Sequence, residues 1–228
     1  MKITIRNERV QLFDGSENIR IVLLTDTHWR WSQAKPEQVL HAVQNIHPDL
    51  VVGGGDYYDV SAGAQLFAQF LRQLTEEYHV ALIPGNHEKW TGLDRFSQLI
   101  HESGAVNLCL EPFHWQTPAG NRLSFYHSSA PLEKSLRGKK VLVKHNPEHL
   151  QAADFEANDL ILSGHLHGGQ VICFTSKGGA HYPGSFAYRH CCDRKTIGKG
   201  TLIVSKGLGD TLPLRVRCPH EIVVIQIH

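Results

Sequence analysis

The chain has 228 residues, 41% hydrophobic and 20% charged, with a formal net charge of +1. That length and composition predict one globular domain spanning residues 1–228. The balanced charge argues against a nucleic-acid-binding surface or an acidic tail, and no apolar run approaches the ~20 residues that cross a membrane.

Met1-Lys2-Ile3-Thr4-Ile5-Arg6 alternates like a strand and lacks the apolar centre of a signal peptide, which predicts a cytoplasmic location. Ile21-Val22-Leu23-Leu24 reads as a buried strand and ends in Thr25-Asp26-Thr27-His28. A helix opens near Pro36, whose fixed φ suits a first helical position, and repeats Val39, Leu40, Val43 and Ile46 at helical spacing. His47-Pro48-Asp49 stops it. Leu50-Val51-Val52 is the next strand, ending in Gly53-Gly54-Gly55-Asp56-Tyr57-Tyr58-Asp59. Ala64, Phe67, Leu71 and Leu74 mark a second amphipathic helix. Val80-Ala81-Leu82-Ile83 is a third strand, ending in Pro84-Gly85-Asn86-His87-Glu88. A helix over about 92–101 leads into strands near 106–110 and 123–126.

Val141-Leu142-Val143 is another strand, ending in Lys144-His145-Asn146-Pro147, and a short helix is predicted over 148–153. Leu160-Ile161-Leu162 then runs into Gly164-His165-Leu166-His167-Gly168-Gly169-Gln170. Residues i and i+2 of an extended segment point the same way, so His165 and His167 are expected to face one pocket. The remainder reads as a strand over 171–174, a Gly-rich loop over 178–200, and strands over 201–205 and 221–227. Strands alternating with helices in the first half predict parallel units, and the strand-rich second half predicts a second sheet. The expected fold is α/β: a four-layer αββα sandwich of two mixed sheets flanked by helices.

Five strands end in nitrogen or oxygen donors: Asp26 with His28, Asp56, Asn86, His145, and His165 with His167. Ligands of open α/β sheets gather at the carboxyl ends of strands. Each residue alone has an ordinary reading as a turn, cap or loop residue; the fivefold repetition of one arrangement does not. Seven donors exceed the four of a tetrahedral site and suit two ions with a bridging carboxylate. Carboxylate and imidazole without thiolate suit Mn first, with Fe, Zn, Ni or Co also possible. The five cysteines form no C-x-x-C pair and read as reduced, mostly buried thiols. Trp29-Arg30-Trp31 reads either as a substrate-contacting lip or as a partly buried loop cluster. Arg30, Lys89 and Arg189 read either as phosphate-binding or as solvated cations.

Asp26-x-His28, Gly55-Asp56-x-x-Asp59, Gly85-Asn86-His87-Glu88, His145 and Gly164-His165-x-His167 together resemble the ordered signature of the calcineurin-like metallophosphoesterases. Gly168-Gly169-Gln170, residues 204–209 and Pro213-Leu214-Arg215 are similar to bacterial class III phosphodiesterases, a branch that includes hydrolases of UDP-diacylglucosamine. The resemblance implies that Asp26, His28, Asp56 and His167 hold one metal, and Asp56, Asn86, His145 and His165 the other. It implies hydrolysis of a small phosphate ester, as a phosphodiesterase or pyrophosphatase, by a hydroxide held between the metals. His87 would assist the leaving group, and Asp59 would orient His87. Gly54 departs from the Thr the family often carries there, without touching a ligand. Two alternatives stand beside this reading. One is a protein Ser/Thr phosphatase, against which the ~30 residues between Asp26 and Asp56 leave no large docking domain. The other is a non-catalytic scaffold, which would be expected to have lost ligands or His87.

Overall fold

Along Ile21-Val22-Leu23-Leu24 successive side chains face opposite ways, and all four are buried. Strands covered on both faces form the centre of the computed structural model, which describes residues 2–15, 17–30, 34–130, 136–210 and 214–228. The first half contains β1 (Thr4–Val10), β2 (Ile19–Leu24), α1 (Pro36–Ile46), β3 (Leu50–Gly53), α2 (Ser61–Glu77), β4 (His79–Leu82), α3 (Asn86–Thr91), α4 (Leu93–Ser103) and β5 (Val106–Asn107). The second contains β6 (Phe113–Gln116), β7 (Arg122–Tyr126), β8 (Lys139–Val143), α5 (Ala152–Ala157), β9 (Leu160–Ser163), β10 (Ile172–Thr175), β11 (His181–Pro183), β12 (Arg194–Ile197), β13 (Gly200–Val204) and β14 (Glu221–Ile227).

Six strands form one sheet in the order β1-β14-β2-β3-β4-β5, and six another in the order β12-β13-β9-β8-β7-β6. Both are mixed. In the first, β14 runs antiparallel to β2 while β2, β3, β4 and β5 are parallel. In the second, β7, β8, β9 and β13 are parallel and the edges β6 and β12 antiparallel. Ile21, Leu23, Val52 and Ala81 on the inner face of the first sheet meet Val141, Val143, Leu160, Leu162 and Ile203 of the second in one buried cluster. The intervening Val22, Leu24, Val51, Val80 and Leu82 face outward onto Val39 and Val43 of α1, Phe67 and Leu71 of α2, and Phe96 of α4. On the far side, Leu142, Ile161, Leu202 and Val204 pack on Phe155 of α5. The result is the αββα sandwich predicted from sequence, each fully buried aliphatic side chain contributing about 1.5–3 kcal/mol.

The departures have local reasons. The short helix begins later than predicted, at Ala152, after a 3-10 turn at Pro147–His149. The stretch predicted as a Gly-rich loop over 178–200 contains β11, a 3-10 turn and β12. β12 is an edge strand, Arg194-Lys195-Thr196-Ile197, that opens on two cations, is largely exposed, and so lacks the apolar pattern by which a strand is read. α3 begins immediately after β4, where the sequence suggested only a strand-end loop. Among the described residues no helix is long and apolar enough to cross a membrane.

Candidate metal centre and active site

The parallel strands end in register. Leu24 of β2 pairs with Gly53 of β3, and Gly53 with Leu82 of β4; in the other sheet Val143 of β8 pairs with Leu162 of β9. The five segments that follow carry the seven candidate ligands to one edge. Backbone hydrogen bonds lace these segments together: the Asp26 N–H donates to Gly55 O (2.8 Å), the His28 N–H to Asp56 O (3.1 Å), and the Gly164 N–H to His145 O (3.0 Å).

Two donor groups result. Asp26, His28 and His167 form one, and Asp56, His145 and His165 the other; within each, one donor atom per residue lies within 4.8 Å of the others. Asn86 joins the second group, its Oδ1 3.1 Å from His145 Nε2. Asp56 Oδ2 is 3.1 Å from His145 Nε2 and 4.0 Å from His28 Nε2, so one carboxylate oxygen stands between the two groups.

The hydrogen bonds on the far sides of the rings decide what these atoms can do. His28 Nδ1 is 2.7 Å from Asp59 Oδ1, and His167 Nδ1 is 3.1 Å from Gly209 O. The Asp59 carboxylate is an acceptor, so the neutral His28 ring carries its proton on Nδ1 and presents a lone pair at Nε2; His167 Nδ1 meets both the Gly209 carbonyl and, at 3.2 Å, the Arg215 guanidinium. The Nε2 atoms of His28 and His167 are 3.2 Å apart. His145 donates Nδ1–H to Gly54 O at 2.7 Å, which turns its Nε2 lone pair toward Asp56 Oδ2, Asn86 Oδ1 and, at 3.2 Å, His165 Nδ1. Lone pairs converging in this way require a cation among them. When that cation is a proton, His145 takes it readily, pushed up to about 9 by Asp56 and Asp26 against the opposing effect of burial, and in the first group His28 is raised too, by its hydrogen bond to Asp59 and the charge of Asp26 against burial. Burial opposes ionisation of Asp56, but the hydrogen bond and charge of His145 hold its carboxyl well below the usual range. Burial, with the charges of His28 and Arg215, takes His167 down to about 4, and burial with the charge of His145 lowers His165. Neutral imidazoles and ionised carboxylates are the forms that bind metal. Oxygen and nitrogen donors without a thiol suit the divalent cations expected from the sequence.

The backbone is bent to make this possible. Asp26, His28, Asp56, His165 and His167 all have positive φ, between 46° and 72°. Non-glycine residues held in that region cost of order 1–3 kcal/mol each and persist where surrounding contacts over-determine them. The expectation that His165 and His167 share an extended segment is therefore corrected. Both are left-handed, a 3-10 turn begins at His167, and their rings serve different donor groups. Neighbouring glycines make room: a Cβ on Gly85 would lie 2.0 Å from Asp56 Oδ1, and one on Gly164 2.4 Å from Asp26 Oδ2.

His87 stands at the rim. Its Nδ1 is 2.6 Å from Asp59 Oδ1, its Nε2 is 3.9 Å from Asp56 Oδ2, and its backbone N–H donates to Asp56 Oδ1 at 2.9 Å. Asp59 thus receives both His28 and His87 on one oxygen. Burial works to raise its pKa, but those two hydrogen bonds hold it at about 2. The contact with His28 had no signal in the sequence.

Two further groups were missed. Glu88 is fully buried, and its carboxylate accepts the N–H groups of Asp56 (2.9 Å), Tyr57 (2.7 Å), Tyr58 (3.2 Å) and Gly85 (2.8 Å). Burial and the charge of Asp56 raise its pKa, while the backbone donors oppose them. A buried, sequence-distant set of donors leaves no mark on the local pattern around Glu88. Arg215 donates to Gly209 O (2.5 Å) and Asp210 Oδ1 (2.6 Å), beside the ring of His167. Its segment was singled out by resemblance, but no role was attached to it. Trp29 is buried against Phe67 and Phe70, so it is core rather than lip; Trp31 and Pro213 lie outside the described residues. Arg189 is tied to Glu148.

The family profile of calcineurin-like phosphoesterases matches residues 19–169. An uncharacterized metallophosphoesterase of Aquifex aeolicus is 28% identical over 99% of this chain and 90% of its own length. Phosphodiesterase YaeI of Escherichia coli is 23% identical over 98% of this chain and 87% of its own. A Helicobacter pylori metallophosphoesterase is 25% identical, with 98% of this chain spanning 63% of that protein. Among solved structures, the phosphopantetheinyl hydrolase of Mycobacterium tuberculosis superposes with a TM-score of 0.54 at 14% identity, over 82% of this chain and 88% of that one. TT1561 of Thermus thermophilus gives 0.53 at 11%, over 85% and 90%. At these identities the two structures are likenesses of fold.

Proposed function

The chain belongs to the calcineurin-like phosphoesterase family, hydrolases that act on phosphate esters, and from that premise we propose that residues 1–228 act as one metal-dependent phosphodiesterase or pyrophosphatase domain. The observation that carries this reading is the pair of donor groups joined by the Asp56 carboxylate. Asp26, His28, Asp56 and His167 hold one divalent cation, and Asp56, Asn86, His145 and His165 the other. Mn²⁺ is the first choice, with Fe, Zn, Ni or Co compatible with the same donors. Two such cations supply a water that ionises near neutral pH and positive charge against the phosphoryl oxygens.

The protein's own groups do the rest. Asp59 fixes the His87 ring through Nδ1–H, so the ring carries a proton on Nε2 only as the imidazolium. In that form His87 hands a proton to the departing oxygen or neutralises its charge. Asp59 is a positioning residue, and by holding His28 as well it couples the orientation of a metal ligand to that of the acid. The likeness to the E. coli phosphodiesterase YaeI favours a diester over a monoester substrate.

The expected result is Mn²⁺-stimulated hydrolysis of bis-p-nitrophenyl phosphate, abolished by Asp56→Asn and by His165→Ala. Full activity in either variant refutes the ligand assignment. Turnover of a phosphopeptide in preference to the diester would favour a protein phosphatase. Metal content well below one ion per chain, after growth in metal-rich medium, would favour a scaffold.

A further inference from the structure

Beside the metal cleft lies a second cavity of about 980 Å³, bounded by α3, α4 and the segment after β8. It opens directly onto the metal centre: Asn86, His145 and His165 form part of its wall, and Trp90 lines both spaces. One wall is apolar. Trp90, Leu93 and Leu110 are 75%, 44% and 62% exposed, three large apolar groups that line the cavity and are left open among the described residues. Trp90 leans on the ring of His87 at 4.7 Å between centroids, which ties this wall to the rim of the metal centre.

The other wall is cationic. Lys89, Lys144 and His127 line it, and Asp94 is the one carboxylate among the described lining residues. Ser129 N–H donates to His127 Nδ1 at 3.2 Å, so the ring proton is on Nε2 and the ring offers a donor. Burial and the charges of Lys89 and Lys144, which line the same cavity, take His127 down to about 4. Lys144 is partly engaged, donating to His149 O at 2.9 Å with Asp154 at 3.6 Å. Lys89 has no hydrogen bond or ion pair among the described residues. Two cations and an N–H donor in the lining of a cavity that also presents three large apolar side chains and, among its described residues, a single carboxylate form a site for a negative charge carried on an apolar body.

We propose that this cavity is a second substrate subsite: with the scissile phosphoryl group at the metal centre, it takes one arm of the ester, an apolar body lying on Trp90, Leu93 and Leu110 and bearing a second anionic group, carboxylate or phosphate, between Lys89, Lys144 and His127. The substrate class is thus a phosphodiester or pyrophosphate with a second negative charge a ring's length or more from the bond that breaks. This rests on the phosphoesterase reading above and adds the specificity that reading leaves open. Binding energy from such a remote group is what lets an enzyme separate its own ester from other esters with the same reacting centre.

The test reads affinity without turnover. Benzyl(methyl)phosphinate and (4-carboxybenzyl)(methyl)phosphinate, whose two P–C bonds leave no ester to hydrolyse, are titrated calorimetrically into the Mn²⁺-loaded protein at low ionic strength. The carboxylate arm is expected to bind about fivefold or more tightly than the uncharged one, the scale of a partly screened ion pair. Lys89→Ala, a change at an exposed side chain, is expected to bring the two affinities within about twofold, and Lys89→Glu to reverse the preference. Equal affinities in the wild-type protein, or a preference untouched by both Lys89 variants, would overturn the subsite. The matching p-nitrophenyl diesters are assayed in parallel. A protein that binds with the expected preference yet hydrolyses neither diester overturns the phosphoesterase reading alone, whereas normal hydrolysis with equal affinities overturns the subsite alone.

Discussion

On the proposed ligand assignment, a proton and a metal ion would compete for one lone pair of His145. In the metal-free protein the ring is pushed up to about 9 from its usual 6.5, chiefly by Asp56 and Asp26 working against burial. A histidine whose folded pKa is raised stabilises the folded state fully below its unfolded value, and that contribution disappears as pH rises through the folded value. The melting temperature of metal-free protein is therefore expected to fall between about pH 6.5 and 9 on account of this group. Bound Mn²⁺ replaces the proton and removes that slope. Calorimetry in two buffers of different ionisation enthalpy, near pH 7.5, is expected to show about one proton released as the second donor group fills. A metal-binding enthalpy independent of buffer would refute it. Glu88 tests the scaffold beneath. A glutamine there keeps one acceptor oxygen and turns an N–H₂ group toward backbone donors, leaving two of the four N–H groups unsatisfied in a dry site. Glu88→Gln is expected to lower the unfolding free energy by about 3 kcal/mol. Urea titration of the metal-free protein measures it, and a loss below about 1 kcal/mol would mean the donors find other partners.

Among the elements, strands were readable where they are covered on both faces and obscure where they are not. Ile21-Val22-Leu23-Leu24 and Leu160-Ile161-Leu162 announce themselves as continuous apolar runs because each face meets a different layer. β6 and β12 lie at sheet edges, where four residues of β6 are too short a run to stand out and the exposed Arg194-Lys195-Thr196-Ile197 of β12 carries no apolar pattern. The segment after β13 shows what a loop contributes to the centre. It carries Gly207, packed on Asp26, and Gly209, whose carbonyl receives the His167 ring, and Arg215 returns to hold that carbonyl in place. Arg215→Ala is expected to weaken metal binding at the Asp26, His28 and His167 group by about tenfold and to spare the other group. Arg215→Lys should restore little, because one ammonium cannot reproduce the fork that spans Asp210 and Gly209. Equal weakening at both groups, seen in a two-site titration, would point instead to a general loss of structure.

The whole molecule extends well past the stretch that marks its family. The family match ends at residue 169, yet β14, far downstream, inserts between β1 and β2 in the first sheet. Ile222, Val223, Val224, Ile225 and Ile227 of that strand are buried. At about 2 kcal/mol each they are comparable with the entire stability of an ordinary domain, about 5–15 kcal/mol. A fragment of residues 1–169 is accordingly expected to show no cooperative thermal transition and to bind no stoichiometric Mn²⁺. A fragment that melts cooperatively with two ions bound would overturn this account of the first sheet.

The sequence by itself determined the layers and the identity of the donors. Hydrophobic periodicity is a local property, and a donor that follows a buried strand is visible beside it. The resemblance already implied how the candidate donors group, with Asp56 in both sets; only the tertiary structure decided the left-handed turns at His165 and His167, the double contact of Asp59, and that Glu88 and Arg215 brace the centre from outside. Those relations depend on strand order and on backbone turns fixed by contacts with segments tens of residues away. Asp59 shows the division in one side chain: its place before α2 could be read along the chain, whereas its simultaneous grip on His28 and His87 exists only once three loops have been brought to one edge.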